Sequence, residues 1–240
     1  MLKTTREQAL HKSVLIRVLS HILDDTFLSQ NLFFKGGTCA SMLGYLDRFS
    51  VDLDFDISSK SKIAEASDKL ENIFKDLDLS VKDQSQNTIQ YYLKYEAPEN
   101  SRSTLKIDAV DAPFEHNTYE KIPLPEINRF AICQTIDTIF ANKLVALVDR
   151  FEKNNTIAGR DVYDIHHFLQ QGFAVNKELI KERRGVELEE YVTHLIAFID
   201  ENITQATLDQ DLNTLLSPKK FQAIRKTLKI ETLFLLKALL

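Results

Sequence analysis

Apolar positions early in the chain recur with a helical period. Leu10, Val14, Leu15, Val18, Leu19 and Ile22 fall on one face, which predicts a helix over Thr4 to Asp25 opened by a Thr4/Glu7 capping box. The pattern then changes. Leu32 to Phe34 is a short apolar run ended by Gly36-Gly37, which predicts a buried strand, a turn and a following helix over Thr38 to Tyr45. From Val51 to Ile57 the alternation is strict, with Val51, Leu53, Phe55 and Ile57 on one face and Asp52, Asp54 and Asp56 on the other. That is a half-buried strand with an acidic face. Ser61 to Leu77 predicts a helix. Leu79 to Lys82, Thr88 to Tyr95 and Thr104 to Val110 are strand-like runs with polar connections, as in an antiparallel meander.

The pattern changes again after Pro113 to Pro125. From Gln134 onward the spacing predicts helices over Gln134–Phe151, Arg160–Gln171, Asn176–Arg183, Glu187–Asn202 and Pro218–Leu239, with turns at Asn154-Asn155, Gly159, Gly172 and Gly185. The expected fold class is α+β: a mixed sheet flanked by helices over residues 1–130, then a helical bundle over residues 131–240. There is no internal repeat and no low-complexity tract.

Bulk properties narrow the function classes. With 240 residues, 44% apolar and 27% charged, the chain suits a globular protein with a sizeable core. A net charge of −5 argues against a broad phosphate-neutralising surface and confines any nucleic-acid contact to a local patch. Cys39 and Cys133 lie far apart in no metal pattern and read as buried thiols in a reducing compartment. The first residues carry no signal-peptide hydrophobic region. The apolar run from Leu233 to Leu240 is interrupted by Lys237 and too short for a bilayer. The expectation is a cytoplasmic protein that does not enter membranes.

The acidic strand is the first candidate for chemistry. Asp52 and Asp54 leave the same face, and two carboxylates about 4 Å apart repel by roughly 4 kcal/mol at an effective dielectric near 20. A cation between them, or full solvation, resolves that conflict, and Mg²⁺ favours one or two carboxylates plus substrate phosphate oxygens. Upstream, Lys35-Gly36-Gly37-Thr38 lies between a predicted strand and a predicted helix, where glycines let backbone N–H groups approach phosphates. Each motif alone has an ordinary reading, a solvated face or a tight turn. Together they describe a phosphate-and-metal site. Asp108 offers a third carboxylate, on the strand face it shares with Lys106 and Val110; it suits a second metal or a general base, with Asp111 as competitor.

Four stretches in order resemble one family: Lys35-Gly36-Gly37-Thr38, then Arg48 to Phe55, then Asn142 to Arg150, then Gly159 to Ile165. They are similar to the AbiEii/AbiGii toxin family within the DNA polymerase β-type nucleotidyltransferase superfamily. The resemblance runs over residues 34 to 165; the helical tail after about residue 172 carries no matching motif. It implies a nucleotidyltransferase-type sheet domain, a helical domain that completes the nucleotide site, and an enzyme of the 2.7.7 type. Lys35, Gly36, Gly37 and Thr38 would hold the triphosphate of an NTP, with Asp52 and Asp54 ligating Mg²⁺ or Mn²⁺. Lys143 would contact the triphosphate or stabilise charge in transfer, and Asp161 would support the site. The implied partners are an RNA acceptor, such as a tRNA, and an antitoxin encoded nearby in an abortive-infection or toxin–antitoxin system.

The residues leave alternatives open. Lys143 and Arg150 lie two turns apart on a largely apolar helical face, so each needs a carboxylate or a phosphate partner, and Asp161 or Asp164 would serve. Asp161 and Asp164 also suit the first turn of a helix. Ser50 suits a phosphate contact or the end of a loop. His166 and His167 lack a third ligand at metal spacing. The basic tracts Lys177/Lys181/Arg183/Arg184 and Lys219/Lys220/Arg225/Lys226/Lys229 suit an RNA backbone or a solvated face. A small-molecule or protein acceptor, and a non-catalytic nucleotide-binding module, are the competing functions. A phosphatase with an aspartate nucleophile is disfavoured, because the acidic strand follows a glycine turn rather than opening the fold.

Overall fold

A computed structural model describes residues 6–85, 88–99, 101–111 and 113–240. The chain divides into a sheet unit, residues 1–113 and 118–134, and a helical unit, residues 114–117 and 135–240.

In the sheet unit, helix α1 (Arg6–Asp24) buries Val14, Leu15, Val18, Leu19 and Ile22, as their spacing predicts. Thr4, the predicted cap, lies outside the described residues. Asp25 begins a second helix rather than ending the first: its Oδ1 accepts from the Phe27 and Leu28 amides and caps α2 (Thr26–Asn31). Strand β1 (Leu32–Lys35) runs directly into α3 (Gly36–Met42). Gly36 and Gly37 are thus the first helical residues, not a turn ahead of a helix starting at Thr38. Next come β2 (Asp52–Ile57), α4 (Ile63–Asp76), β3 (Ser80–Gln84), β4 (Ile89–Lys94) and β5 (Thr104–Val110). The predicted meander is present, since β3–β4 and β4–β5 pair antiparallel.

Two strands escape the sequence pattern. β6 (Tyr119–Leu124) and β7 (Arg129–Gln134) form an antiparallel hairpin inside the segment read only as a change of composition. β6 is an exposed edge that carries Pro123, a residue such strands tolerate, and this masks its alternation. The seven strands are ordered β3-β4-β5-β2-β1-β7-β6. β2 pairs parallel with β5 and antiparallel with β1, and β1 pairs parallel with β7, so the sheet is mixed.

The helical unit contains α5 (Ile136–Asn154), α6 (Gly159–Gln170), α7 (Lys177–Arg184), α8 (Leu188–Asn202), α9 (Gln205–Leu212), α10 (Pro218–Ile224) and α11 (Leu228–Leu236). α9 has no counterpart among the predicted helices. It explains Gly159: a Cβ there would lie 2.8 Å from the Thr207 carbonyl oxygen, so only glycine lets α6 meet α9 this closely. The Gly159 amide donates to Asp211 Oδ2 at 2.7 Å, so the α6 N-terminus already has its carboxylate. The single helix expected over Pro218–Leu239 is broken at residues 225–227. At the break, Gln205 Nε2 donates to the Arg225 carbonyl at 2.7 Å and Asp209 binds the Arg225 guanidinium. Among the described residues no helix is long and apolar enough to cross a membrane.

Candidate active site

Three strands place a polar row across the middle of the sheet: Lys35 on β1 pairs with Asp54 on β2, and Asp54 pairs with Asp108 on β5. Asp52, two residues before Asp54 on the same face, pairs with Lys106 in the same parallel register. Strand pairing alone therefore brings Asp52, Asp54 and Asp108 to one patch.

The glycines set how closely the chain packs there. Gly36 has φ +77°, and a Cβ on it would lie 2.5 Å from Asp54 Oδ2. A side chain at this position is thus doubly excluded, by the backbone conformation and by the carboxylate. A Cβ on Gly37 would meet Arg48 Nη2 and Ser50 Oγ, each at 3.0 Å. Thr38 Oγ1 lies 3.0 Å from Ser50 Oγ and donates to the Asp52 carbonyl. Ser50 therefore joins the Thr38 hydroxyl, and the two tie the start of α3 to the start of β2. Arg48 is buried, with Nη1 on the Phe49 carbonyl at 2.9 Å. Its place in the Arg48 to Phe55 stretch predicts no role for it from the sequence pattern alone.

Two expectations for the acidic strand change. Asp56 is not on an open acidic face but is buried, where it binds Lys35 Nζ at 2.5 Å, Tyr119 Oη at 2.8 Å and Gln134 Nε2 at 2.8 Å. The last two donors come from the hairpin that the sequence pattern hid. Lys35 thus spends its ammonium on a structural pair within the sheet. Asp108 is also engaged: its Oδ2 lies 2.5 Å from Lys106 Nζ and 3.2 Å from Gln90 Nε2. Burial works against the Lys106 ammonium, yet the hydrogen bond and charge of Asp108, with the charge of Asp54, raise its pKa above the usual lysine value. Asp111 lies beyond the end of β5, 3.9 Å from the exposed Lys60.

The donors on this patch are all oxygens: two carboxylates from one strand and a third from its neighbour. That chemistry suits a hard divalent cation completed by substrate phosphate oxygens. Among the described residues, no three His, Cys, Asp or Glu side chains already converge as a metal-binding group.

The helical unit holds its own charge cluster. Lys143 Nζ lies 3.0 Å from Asp161 Oδ1 and 2.9 Å from Asp164 Oδ2, and Arg150 Nε lies 3.0 Å from Asp161 Oδ2. Both aspartates are fully buried. Burial alone would raise the Asp161 pKa; the charges of Lys143 and Arg150, the Lys143 hydrogen bond and the nearby Arg160 overcome it and hold the value at about 2. His166 is buried and pairs with Glu231 at 2.9 Å, and His167 stacks on Tyr163. The first basic tract is matched by acids and the second in part. Arg183 binds Asp149, and Arg184 binds Asp149 and Glu152. Lys177 pairs with Glu189, Lys181 with Glu187, Arg225 with Asp209, and Lys229 lies 3.7 Å from Asp200.

Residues 17–232 match the model of a protein family described as nucleotidyl transferase AbiEii toxin, type IV toxin–antitoxin system. The chain belongs to the AbiEii family of nucleotidyltransferase toxins. It is accordingly a nucleotidyltransferase, of a family whose members are toxins of toxin–antitoxin systems. The match extends well past residue 172, where the recognisable motifs stop. Two solved structures share the fold. One, from H. pylori and described as a nucleotidyltransferase, is 22% identical with a TM-score of 0.60, covering 98% of this chain and 95% of that one. The other, the nucleotidyltransferase toxin MenT4 of Mycobacterium tuberculosis H37Rv, is 17% identical with a TM-score of 0.57, covering 95% and 84%. No curated protein matches the sequence.

Proposed function

We propose that this protein transfers a nucleoside monophosphate from an NTP to a hydroxyl of an RNA acceptor, a tRNA in the first instance, using Mg²⁺ or Mn²⁺. One observation supports this above the others: the Gly36–Gly37 backbone, the Thr38–Ser50 hydroxyl pair and the carboxylates Asp52, Asp54 and Asp108 gather around a single row of the sheet. In this reading Asp52 and Asp54 hold the metal, which supplies charge neutralisation for the triphosphate. The backbone of residues 35–38, with the Thr38 and Ser50 hydroxyls, binds and orients the triphosphate, while the Lys35 ammonium stays on Asp56. The acceptor oxygen bonds to the α-phosphorus, the bond from that phosphorus to the bridging oxygen breaks, and pyrophosphate leaves. Asp108 takes the hydroxyl proton or, as the third carboxylate of the row, joins the metal ligands.

The roles implied for Lys143, Arg150 and Asp161 are kept as part of this proposal, each open to test by substitution. So are acceptor binding by residues 131–240, an antitoxin encoded nearby and action in the cytoplasm. A second reading replaces RNA by a small-molecule or protein hydroxyl. It is favoured by the ion pairs that occupy the basic side chains of the first tract, and Arg225 and Lys229 in the second.

The test is transfer of label from each α-³²P-labelled NTP, with Mg²⁺, into total bacterial RNA. Label in a tRNA-sized band is expected with the wild type. Asp52→Ala should lower transfer on the order of a thousandfold, the worth of several kcal/mol of metal-borne charge stabilisation, and should abolish toxicity. Label in protein or small molecules alone selects the second reading. Wild-type transfer by a folded Asp52→Ala protein ends both.

A further inference from the structure

The acidic patch carries a cation of its own. Lys106 stands opposite Asp52 and Asp108 opposite Asp54, so all four side chains leave the same face of two adjacent parallel strands. The Lys106 ammonium is 2.5 Å from Asp108 Oδ2, and Gln90 donates to the same oxygen at 3.2 Å. Both partners are mostly withdrawn from solvent, at 27% and 24% side-chain exposure, so water screens the pair only partly. Three neighbouring carboxylates repel one another, and a lysine held among them offsets that repulsion without any metal.

We infer that Lys106 is the resident counter-cation of this site: it occupies Asp108 in the free protein and competes with a divalent cation for that carboxylate. The inference rests on the reading of Asp52 and Asp54 as metal ligands. It follows that the free protein binds a divalent cation weakly, through the β2 carboxylates. A triphosphate changes the balance in two ways. Its oxygens complete the coordination of the cation, and they give the displaced ammonium an anionic partner. Metal and nucleotide therefore bind cooperatively, and Lys106 is a positioning residue that makes Asp108 available only when substrate is present.

Mn²⁺ is the probe, titrated into the full chain and followed by the electron paramagnetic resonance of the free ion. Lys106→Met should bind Mn²⁺ at least about tenfold more tightly than the wild type without nucleotide, since removing one charge about 6 Å from a divalent ion has that effect even in bulk water and this pair is only partly screened. Lys106→Arg keeps the charge and should keep the weak binding. A non-hydrolysable NTP analogue should tighten Mn²⁺ binding in the wild type more than in Lys106→Met. If Lys106→Met does not fold, Lys106→Gln is measured in its place. Unchanged or weaker binding by the neutral variant, while Asp54→Asn abolishes binding, overturns the inference and leaves the metal site standing. Mn²⁺ binding that survives both Asp52→Asn and Asp54→Asn, or no Mn²⁺ binding with or without nucleotide, overturns the metal reading and the inference with it.

Discussion

Carboxylates and cations meet in both units, on different terms. In the helical unit, Asp161 and Asp164 are fully buried against Lys143 and Arg150, and the charge is settled within the fold. In the sheet unit, Asp52 and Asp54 are only half-buried, and Lys106, opposite Asp52, binds Asp108. A buried charge without its partner costs several kcal/mol, so the helical cluster is needed for stability whatever else it does. Asp52 and Asp54 are like charges on one strand face, and their mutual repulsion works against stability. On the proposed function, the contrast separates residues that hold the protein together from residues that serve a ligand.

Paired substitutions would break that contrast if it is wrong. Asp52→Asn should keep or raise the thermal midpoint without metal, since repulsion with Asp54 is relieved, while transfer falls by about a thousandfold. Asp161→Asn should cost about 3 kcal/mol in urea unfolding, because Lys143 and Arg150 lose a buried counter-charge. Equal stability losses in the two variants would erase the distinction. A stable Asp161→Asn protein without transfer would move Asp161 into the chemistry.

Asp56 sharpens the comparison within one strand. It shares a face with Asp52 and Asp54 but is buried under three donors, Lys35, Tyr119 and Gln134. Asp56→Asn replaces a charged acceptor by an amide and should cost roughly 2 kcal/mol of stability. Transfer per folded molecule should stay within about tenfold of the wild type, a loss of under 1.4 kcal/mol. A thousandfold loss with normal unfolding would place Asp56 with its two neighbours.

How much could be read beforehand follows from the same physics. The register that brings Asp54 beside Asp108 was legible in outline, because alternation assigns faces and the intervening elements are locally patterned. The Asp52/Asp54 pair and the glycines were legible because both are sequence-local. The fate of Asp56 was not, since its partners Tyr119 and Gln134 come from a hairpin whose edge strand is exposed and contains Pro123. The engagement of Lys35 by Asp56 was hidden for the same reason. Lys106 could have been found: an i−2 cation on the face of Asp108 is a pairing that strand geometry permits. The matched basic tracts were out of reach, because Asp149, Asp200 and Asp209 meet them only through helix packing.

Acid titration tests the helical side of the contrast with the smallest expected effect. Asp161 is held at about 2 in the folded protein, against 3.8 for an unperturbed aspartate. Between those values the unfolded chain binds the proton and the folded chain does not, so stability rises with pH across the window. The contribution, about 2 kcal/mol for a fully buried group, is complete above pH 4 and disappears as pH falls through 2. Urea midpoints from pH 5 down to pH 2 should therefore fall more steeply for the wild type than for Asp161→Asn, and the two curves should converge at the acid end. Parallel slopes for wild type and Asp161→Asn would mean that the Lys143–Asp161–Arg150 cluster does not hold its charge within the fold, and the contrast between the two units would fail on its stronger side.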